Sequence, residues 1–188
     1  MHNQSGTQKV RNKKQRKPQL QMLWPDDRLD KPPEVKVPEG YRLRCLNDGE
    51  EEAYLDLMHS AGFTGWTLET LAEWKRRALP GGLFVIAHEP TGRLAATAMA
   101  VHNPTDRHPG GGELGWVAAH PDHRGRGLGE AVCTAVVKRF HSAGYRRVYL
   151  KTDDFRLPAI RTYLRLGFVP LKENEAIAER WHAVRKAV

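Results

Sequence analysis

The stretch Arg124-Gly125-Arg126-Gly127-Leu128-Gly129 constrains this chain more than any other. It follows Glu113 to Ala119, which reads as a strand. It opens a run whose apolar residues Leu128, Val132, Cys133, Val136, Val137 and Phe140 fall on one helical face. A strand that passes through three alternate glycines into a helix can bring backbone close to a ligand, because glycine turns tightly and carries no Cβ. The first amides of that helix lack internal partners and point outward. With the helix dipole they form an anion site, and Arg124 and Arg126 add charge at its rim.

The residues around the loop narrow the anion. A magnesium-nucleotide loop needs Lys and then Ser or Thr after its last glycine, and Glu130 and Ala131 stand there instead. A dinucleotide fingerprint needs glycine at the position of Glu130. What remains is a pyrophosphate held by backbone without a metal, and coenzyme A fits that description.

The rest of the domain reads as alternating elements. Tyr41 to Cys45 alternates as a half-buried strand does. Asp48 to Ser60 and Thr67 to Arg77 have helical spacing, Thr67 standing as an N-cap and Pro80-Gly81-Gly82 closing the second helix. Leu83 to His88 and Leu94 to Val101 form a hairpin about Glu89-Pro90-Thr91-Gly92. Arg147 to Lys151 is a strand, Pro158 to Leu166 a helix stopped by Gly167, Phe168 to Leu171 a strand and 173–187 a terminal helix. This order implies a mixed α/β domain, a twisted mixed sheet with helices on its faces and one β-α-β unit in the middle.

Here the pattern resembles a family. Arg124-x-x-Gly127-x-Gly129, preceded by Gly115-Trp116-Val117-Ala118-Ala119-His120-Pro121 and followed by Ala159-x-x-x-Tyr163-x-x-x-Gly167-Phe168, is similar to the acetyl-CoA motifs of the GNAT superfamily of N-acetyltransferases. The likeness spans roughly residues 41–171, its sharp motifs lying within 113–168. It implies a GNAT-like fold and direct transfer of an acetyl group from acetyl-CoA to a primary amine in a ternary complex. On this resemblance Val117, Ala118, Ala119, Arg124, Gly125, Arg126, Gly127, Leu128, Gly129 and Glu130 bind the cofactor. There are two departures. Arg156 stands where the family often has an asparagine that reaches the pantetheine arm, and a helix is expected at 173–187 where the family often ends in a β-hairpin.

The chemistry then asks for particular groups. An alkyl amine, with a pKa near 10, is mostly protonated at neutral pH, so a base must take a proton. Glu113, on the strand before the loop, matches where several family members place it; otherwise it is an exposed strand carboxylate. Main-chain amides from Val117 to Ala119 are suited to an oxyanion. Tyr163 matches the family's usual general acid, and alternatively is a core tyrosine. Asp153 and Asp154 could draw in a cationic amine or cap the following helix. Phe63 and Trp66, between the first two helices, fall where the family forms part of its acceptor pocket, or else pack in the core.

Charge divides the chain unevenly. Lys9, Arg11, Lys13, Lys14, Arg16 and Lys17 face no acid within residues 1–20 and carry six of the eight net positive charges. Pro25, Pro32, Pro33 and Pro38 follow. Residues 1–40 therefore read as a basic, proline-rich disordered arm and linker before a domain at 41–188. Leu20, Met22, Leu23 and Trp24 are its one apolar cluster, able to dock on the domain. The arm could bind nucleic acid through residues 9–17, or serve only as a solvated tail, and no aromatic residue interleaves with its bases. Two further functional readings follow: an acyl-CoA-binding domain that regulates without catalysis, and a nucleic-acid-associated protein working through the arm.

Other classes fall away. Two cysteines are too few for a disulfide framework, and no apolar run approaches a membrane span. A cytoplasmic monomer or homodimer is expected. No metal site is expected, His102, His108, His120 and His123 reading as surface loop residues. Serines occur only at 5, 60 and 142, with no nucleophile elbow. Cys133, on the apolar helix face, reads as a buried small hydrophobe.

Overall fold

The computed structural model describes residues 17–29, 31 and 33–188. Its elements are β1 (Leu20–Leu23), β2 (Tyr41–Cys45), α1 (Glu51–Ser60), α2 (Leu68–Arg77), β3 (Ala78–His88), β4 (Leu94–His102), β5 (Gly112–Ala119), α3 (Leu128–Ser142), β6 (Val148–Thr152), α4 (Leu157–Leu166), β7 (Val169–Pro170) and α5 (Glu175–Ala187). They form one seven-stranded sheet in the order β2-β3-β4-β5-β6-β1-β7. Every neighbouring pair is antiparallel except β5 and β6, which α3 joins in parallel.

Helices cover both faces, and the strand sequences say why. β4 is buried at every position but His102, as a strand sandwiched between two layers must be. Its Ala96, Ala98 and Ala100 belong to the core beneath α3, with Val132, Val136 and Phe140. Met99 and Val101 belong to the opposite core beneath α1 and α2, with Tyr54, Leu57, Met58 and Leu71. Helix ends follow local chemistry. Thr67 accepts a bond from the Thr70 amide at 3.2 Å, Asn174 caps α5 through the Ile177 amide at 3.0 Å, and Gly167 ends α4 at φ 107°.

Three expectations are corrected. The folded unit begins well before residue 41: β1 lies inside the sheet, its Leu20 and Met22 fully buried. The apolar cluster 20–24 is thus a core strand, because β6 offers an unfilled edge on which it pairs, Leu20 opposite Thr152 and Leu23 opposite Tyr149. Trp24 continues the pairing, its amide donating to the Val148 carbonyl at 2.9 Å. Residues 1–16, which hold most of the basic run, lie outside the described residues. Second, Pro80-Gly81-Gly82 does not stand between helix and strand. β3 starts at Ala78, directly after α2, and absorbs these residues as an irregularity between the pairs Ala78–Val101 and Leu83–Met99. Third, His108 is only 1 % exposed. It stacks on Tyr149 at 4.0 Å, and its Nε2 donates to Gln21 Oε1 at 2.7 Å while Nδ1 accepts from Arg147 at 3.2 Å.

Candidate active site

The parallel ladder between β5 and β6 ends early. It pairs Gly112 with Val148 and Glu113 with Tyr149, and no further. Beyond that point each strand pairs only on its other side, β5 with β4 and β6 with β1. The sheet therefore opens between β5 and β6, with strand backbone along the gap. A bulge in β5 accompanies the opening: Gly115 pairs with Met99 and Ala118 with Thr97, so Trp116 and Val117 together face Ala98. Trp116 is left-handed, φ 54°, a conformation that costs a non-glycine residue on the order of 1 kcal/mol. Neighbouring rings hold it there: Trp66 at 4.8 Å, Trp74 at 5.0 Å and Phe63 at 5.9 Å from the Trp116 ring.

The glycine loop follows β5 directly. Gly125 and Gly127 take left-handed φ values of 74° and 80°. Gly127 is the N-cap of α3, with no side chain bonding the first helical amides. A Cβ built at Gly125 or Gly129 meets nothing within 4 Å, so the space beside this turn is open. Arg124 and Arg126 are exposed at the rim. Leu128 and Ala118 bury their side chains and can offer a ligand only backbone. Glu130 turns toward α4, its carboxylate 3.6 Å from Arg165. The loop and the opening thus share β5, and the donor set fits a pyrophosphate.

A cleft of about 140 Å³ lies at the opening. Glu113, Gly115, Trp116 and Val117 line it from β5, Lys151 and Thr152 from β6, Asp153 and Arg156 from the following turn, Tyr163 from α4, Phe63 and Trp74 from the α1–α2 side, and Gln19 from the approach to β1. A more open groove of about 640 Å³ lies between β2 and the β3–β4 turn; none of its lining residues comes from β5, β6 or α4, the elements around the sheet opening.

Glu113 is held by three donors on one oxygen. Its Oε2 accepts from Asn103 Nδ2 at 2.5 Å and from Tyr149 Oη and Lys151 Nζ, each at 3.2 Å, while Oε1 takes no bond from the described residues. Arg77 orders Asn103 in turn, its Nη2 donating to Oδ1 at 2.5 Å. Burial, and then the Glu113 charge, push the Tyr149 hydroxyl well above its ordinary range. Tyr163 is buried between α4 and the sheet, and burial raises its hydroxyl strongly too. It is thus a neutral phenol at physiological pH, able to donate.

The other expected residues separate. Phe63 lines the cleft, whereas Trp66 is buried against Tyr54 and Trp116. Neither Asp153 nor Asp154 caps α4, whose N-cap is Arg156 without a side-chain bond. Asp153 lines the cleft beside Arg156, and Asp154 is taken up by Arg180 of α5, whose Nε donates at 3.0 Å. That guanidinium holds the Asp154 carboxyl below its usual range. Cys133 is buried, as read from the helix face, and burial raises its thiol. Sequence reasoning missed Gln19, Trp74, Trp116, Lys151 and Thr152. Only Trp116 carried a signal, as an aromatic residue in the strand just before the loop.

The acetyltransferase (GNAT) family model matches residues 46–168. A mycothiol acetyltransferase of Arthrobacter sp. is 31 % identical over 72 % of this chain and 45 % of its own length. One from Thermobispora bispora is 34 % identical over 72 % of this chain and 49 % of its own. The chain thus spans about half the length of these curated relatives. A crystal structure of a GCN5-related N-acetyltransferase from Sphaerobacter thermophilus superposes with a TM-score of 0.65 at 24 % identity, over 82 % of this chain and 50 % of that one. The motifs, the opened sheet and the family match agree, and this chain belongs to the acetyltransferase (GNAT) family.

Proposed function

We propose that this chain transfers an acetyl group from acetyl-CoA to a primary amine, both bound at the opening between β5 and β6. The observation that carries the reading is the continuity of that opening with the glycine loop, a slot along strand backbone leading to an uncapped helix terminus. The loop amides, with Arg124 and Arg126, would hold the pyrophosphate. The free edge of β5 from Gly115 to Ala119 would hold the pantetheine amides as an added strand is held. Acetyl-CoA supplies an activated acetyl thioester. The relatives' name, acetyltransferase, supports the same reaction class.

The chain's residues then divide the proton work. Glu113 takes a proton from the amine at Oε1, its other oxygen being fixed by Asn103, Tyr149 and Lys151. Tyr163 gives its hydroxyl proton toward the leaving sulfur, the role a buried neutral phenol can fill. Amides at the Trp116–Val117 bulge are fixed dipoles for the acetyl oxygen. The rings of Phe63, Trp74 and Trp116 exclude water from the acceptor side.

Calorimetric titration with acetyl-CoA, without metal, tests the cofactor site. Saturable binding to the wild type and its loss in an Arg124→Ala/Gly127→Asp variant are expected. Release of free CoA thiol with a panel of amines then tests transfer. Binding without turnover of any amine leaves a catalytically silent acyl-CoA-binding domain, and no binding removes the reading.

A further inference from the structure

We propose that Arg156 and Thr152 form a subsite for a carboxylate on the acceptor, so that preferred acceptors are amino-acid-like amines with a free carboxylate and an apolar side chain. The inference rests on the acetyl-transfer reading above. Both residues line the cleft, and both have unused donors. The Arg156 guanidinium lies over the Phe63 ring at 4.7 Å. Its one charged contact is a long one, Nε to Asp153 Oδ2 at 3.4 Å, and its two terminal nitrogens take part in no hydrogen bond among the described residues. Thr152 is 2 % exposed, and its Oγ1 is buried without a partner.

A buried hydroxyl without a partner costs stability of order 1–3 kcal/mol, so a ligand that bonds it recovers that loss. A guanidinium fixed by stacking presents a planar fork that matches a carboxylate. The cleft's remaining charges favour a monoanion. Lys151 is engaged by Glu113, which leaves Arg156, paired with Asp153 only through Nε, as the cation with unused donors among the described residues of the cleft. A phosphate, with close to two negative charges, is undercompensated there. Phe63, Trp74 and Trp116 give the apolar wall beside it.

The test compares L-phenylalanine, L-phenylalaninamide and O-phosphoethanolamine as acceptors at saturating acetyl-CoA, reading released thiol. The expected result is a kcat/KM about 10- to 100-fold higher for the amino acid than for its amide, the range of a charge-assisted hydrogen bond. Arg156→Gln collapses that preference through KM, with the acetyl-CoA Kd held within about twofold; Arg156→Lys restores part of it. Thr152→Val raises the amino acid's KM a few-fold, its thermal midpoint showing that the fold is intact. Three results overturn the subsite: an amide used as well as the acid, phosphoethanolamine used best, or Arg156→Gln weakening acetyl-CoA binding by the same factor, which assigns the guanidinium to the cofactor. If acetyl-CoA binds but no amine turns over, the transfer reading fails by itself. L-phenylalanine is then titrated into CoA-saturated protein. Binding weakened by Arg156→Gln keeps the subsite, and absence of binding removes it.

Discussion

The glycine loop and the cleft beside it grow from the same strand, yet they are built in opposite ways. The loop is contiguous. Arg124 to Gly129 follow one another, and what they offer a ligand is backbone held by two left-handed glycines and a helix start. The cleft is assembled from side chains on the approach to β1, the α1–α2 side, β5, β6 and α4. They come as two short runs, 113–117 and 151–156, and as single residues far from both, at 19, 63, 74, 101 and 163. A site made of backbone tolerates any side chain that leaves its dihedrals alone. A site made of side chains depends on the packing of the whole sheet.

Substitutions sharpen that contrast, beginning with the largest expected effect. Tyr163→Phe removes a proton donor while keeping the ring, and should lower kcat by about 100-fold or more; an unchanged acetyl-CoA Kd by calorimetry separates it from the loop. Gly127→Asp puts a negative charge and a Cβ at a left-handed helix start, and should raise the acetyl-CoA Kd by about 100-fold with a shift of only a few degrees in the thermal midpoint. If that variant instead unfolds, the loop is part of the packing and the contrast breaks.

Gly112→Ala tests the reverse dependence. A Cβ there runs into the Phe140 ring at the last parallel pairs before the sheet opens. Denaturant unfolding should show a loss of about 1–3 kcal/mol, with the loop's affinity for acetyl-CoA intact in the folded fraction.

His108 gives a pH signature. Burial first, then the charge of Arg147, lowers its pKa from 6.5 to about 4. The unfolded chain therefore binds the extra proton between these values. The stabilisation is fully present above pH 6.5 and is lost as pH falls toward 4, a change on the order of 3 kcal/mol. Chemical denaturation across this window should lose much of its slope in His108→Gln. Asp154→Asn, which breaks a partly exposed pair with Arg180, should cost about 1 kcal/mol or less by the same measurement.

The same contrast decides what could be read from the chain. The strand–glycine–helix transition, the Thr67 cap, the Gly167 stop and the Glu89–Gly92 hairpin turn are local, and each stands where its residues indicate. Leu20 and Met22 of β1, with Trp24 just after it, alternate as the buried face of a strand does, but so short a run between basic and proline-rich segments does not show where a strand partner lies. Their pairing partners, the edge of β6 and β7, stand far along the chain. Pro80-Gly81-Gly82 points the other way for a related reason: residues that usually break elements are carried inside a strand when the residues on either side, Ala78 and Leu83, are both paired with β4. At the site, resemblance singles out Glu113 and Tyr163, and both line the cleft. Asn103, which fixes Glu113, and Thr152, whose hydroxyl is left over, could be found only from tertiary contacts.

The position of β1 also sets an order of events. Residue 20 leaves the ribosome long before Thr152 and Pro170, the strand partners that hold its segment. The β6–β1–β7 seam therefore cannot close until residues 148–170 have been made. That seam carries Thr152 and the approach through Gln19. The cleft is therefore complete only once residues 19–23 and 148–170 have met, a meeting that the contiguous glycine loop does not need for its own residues.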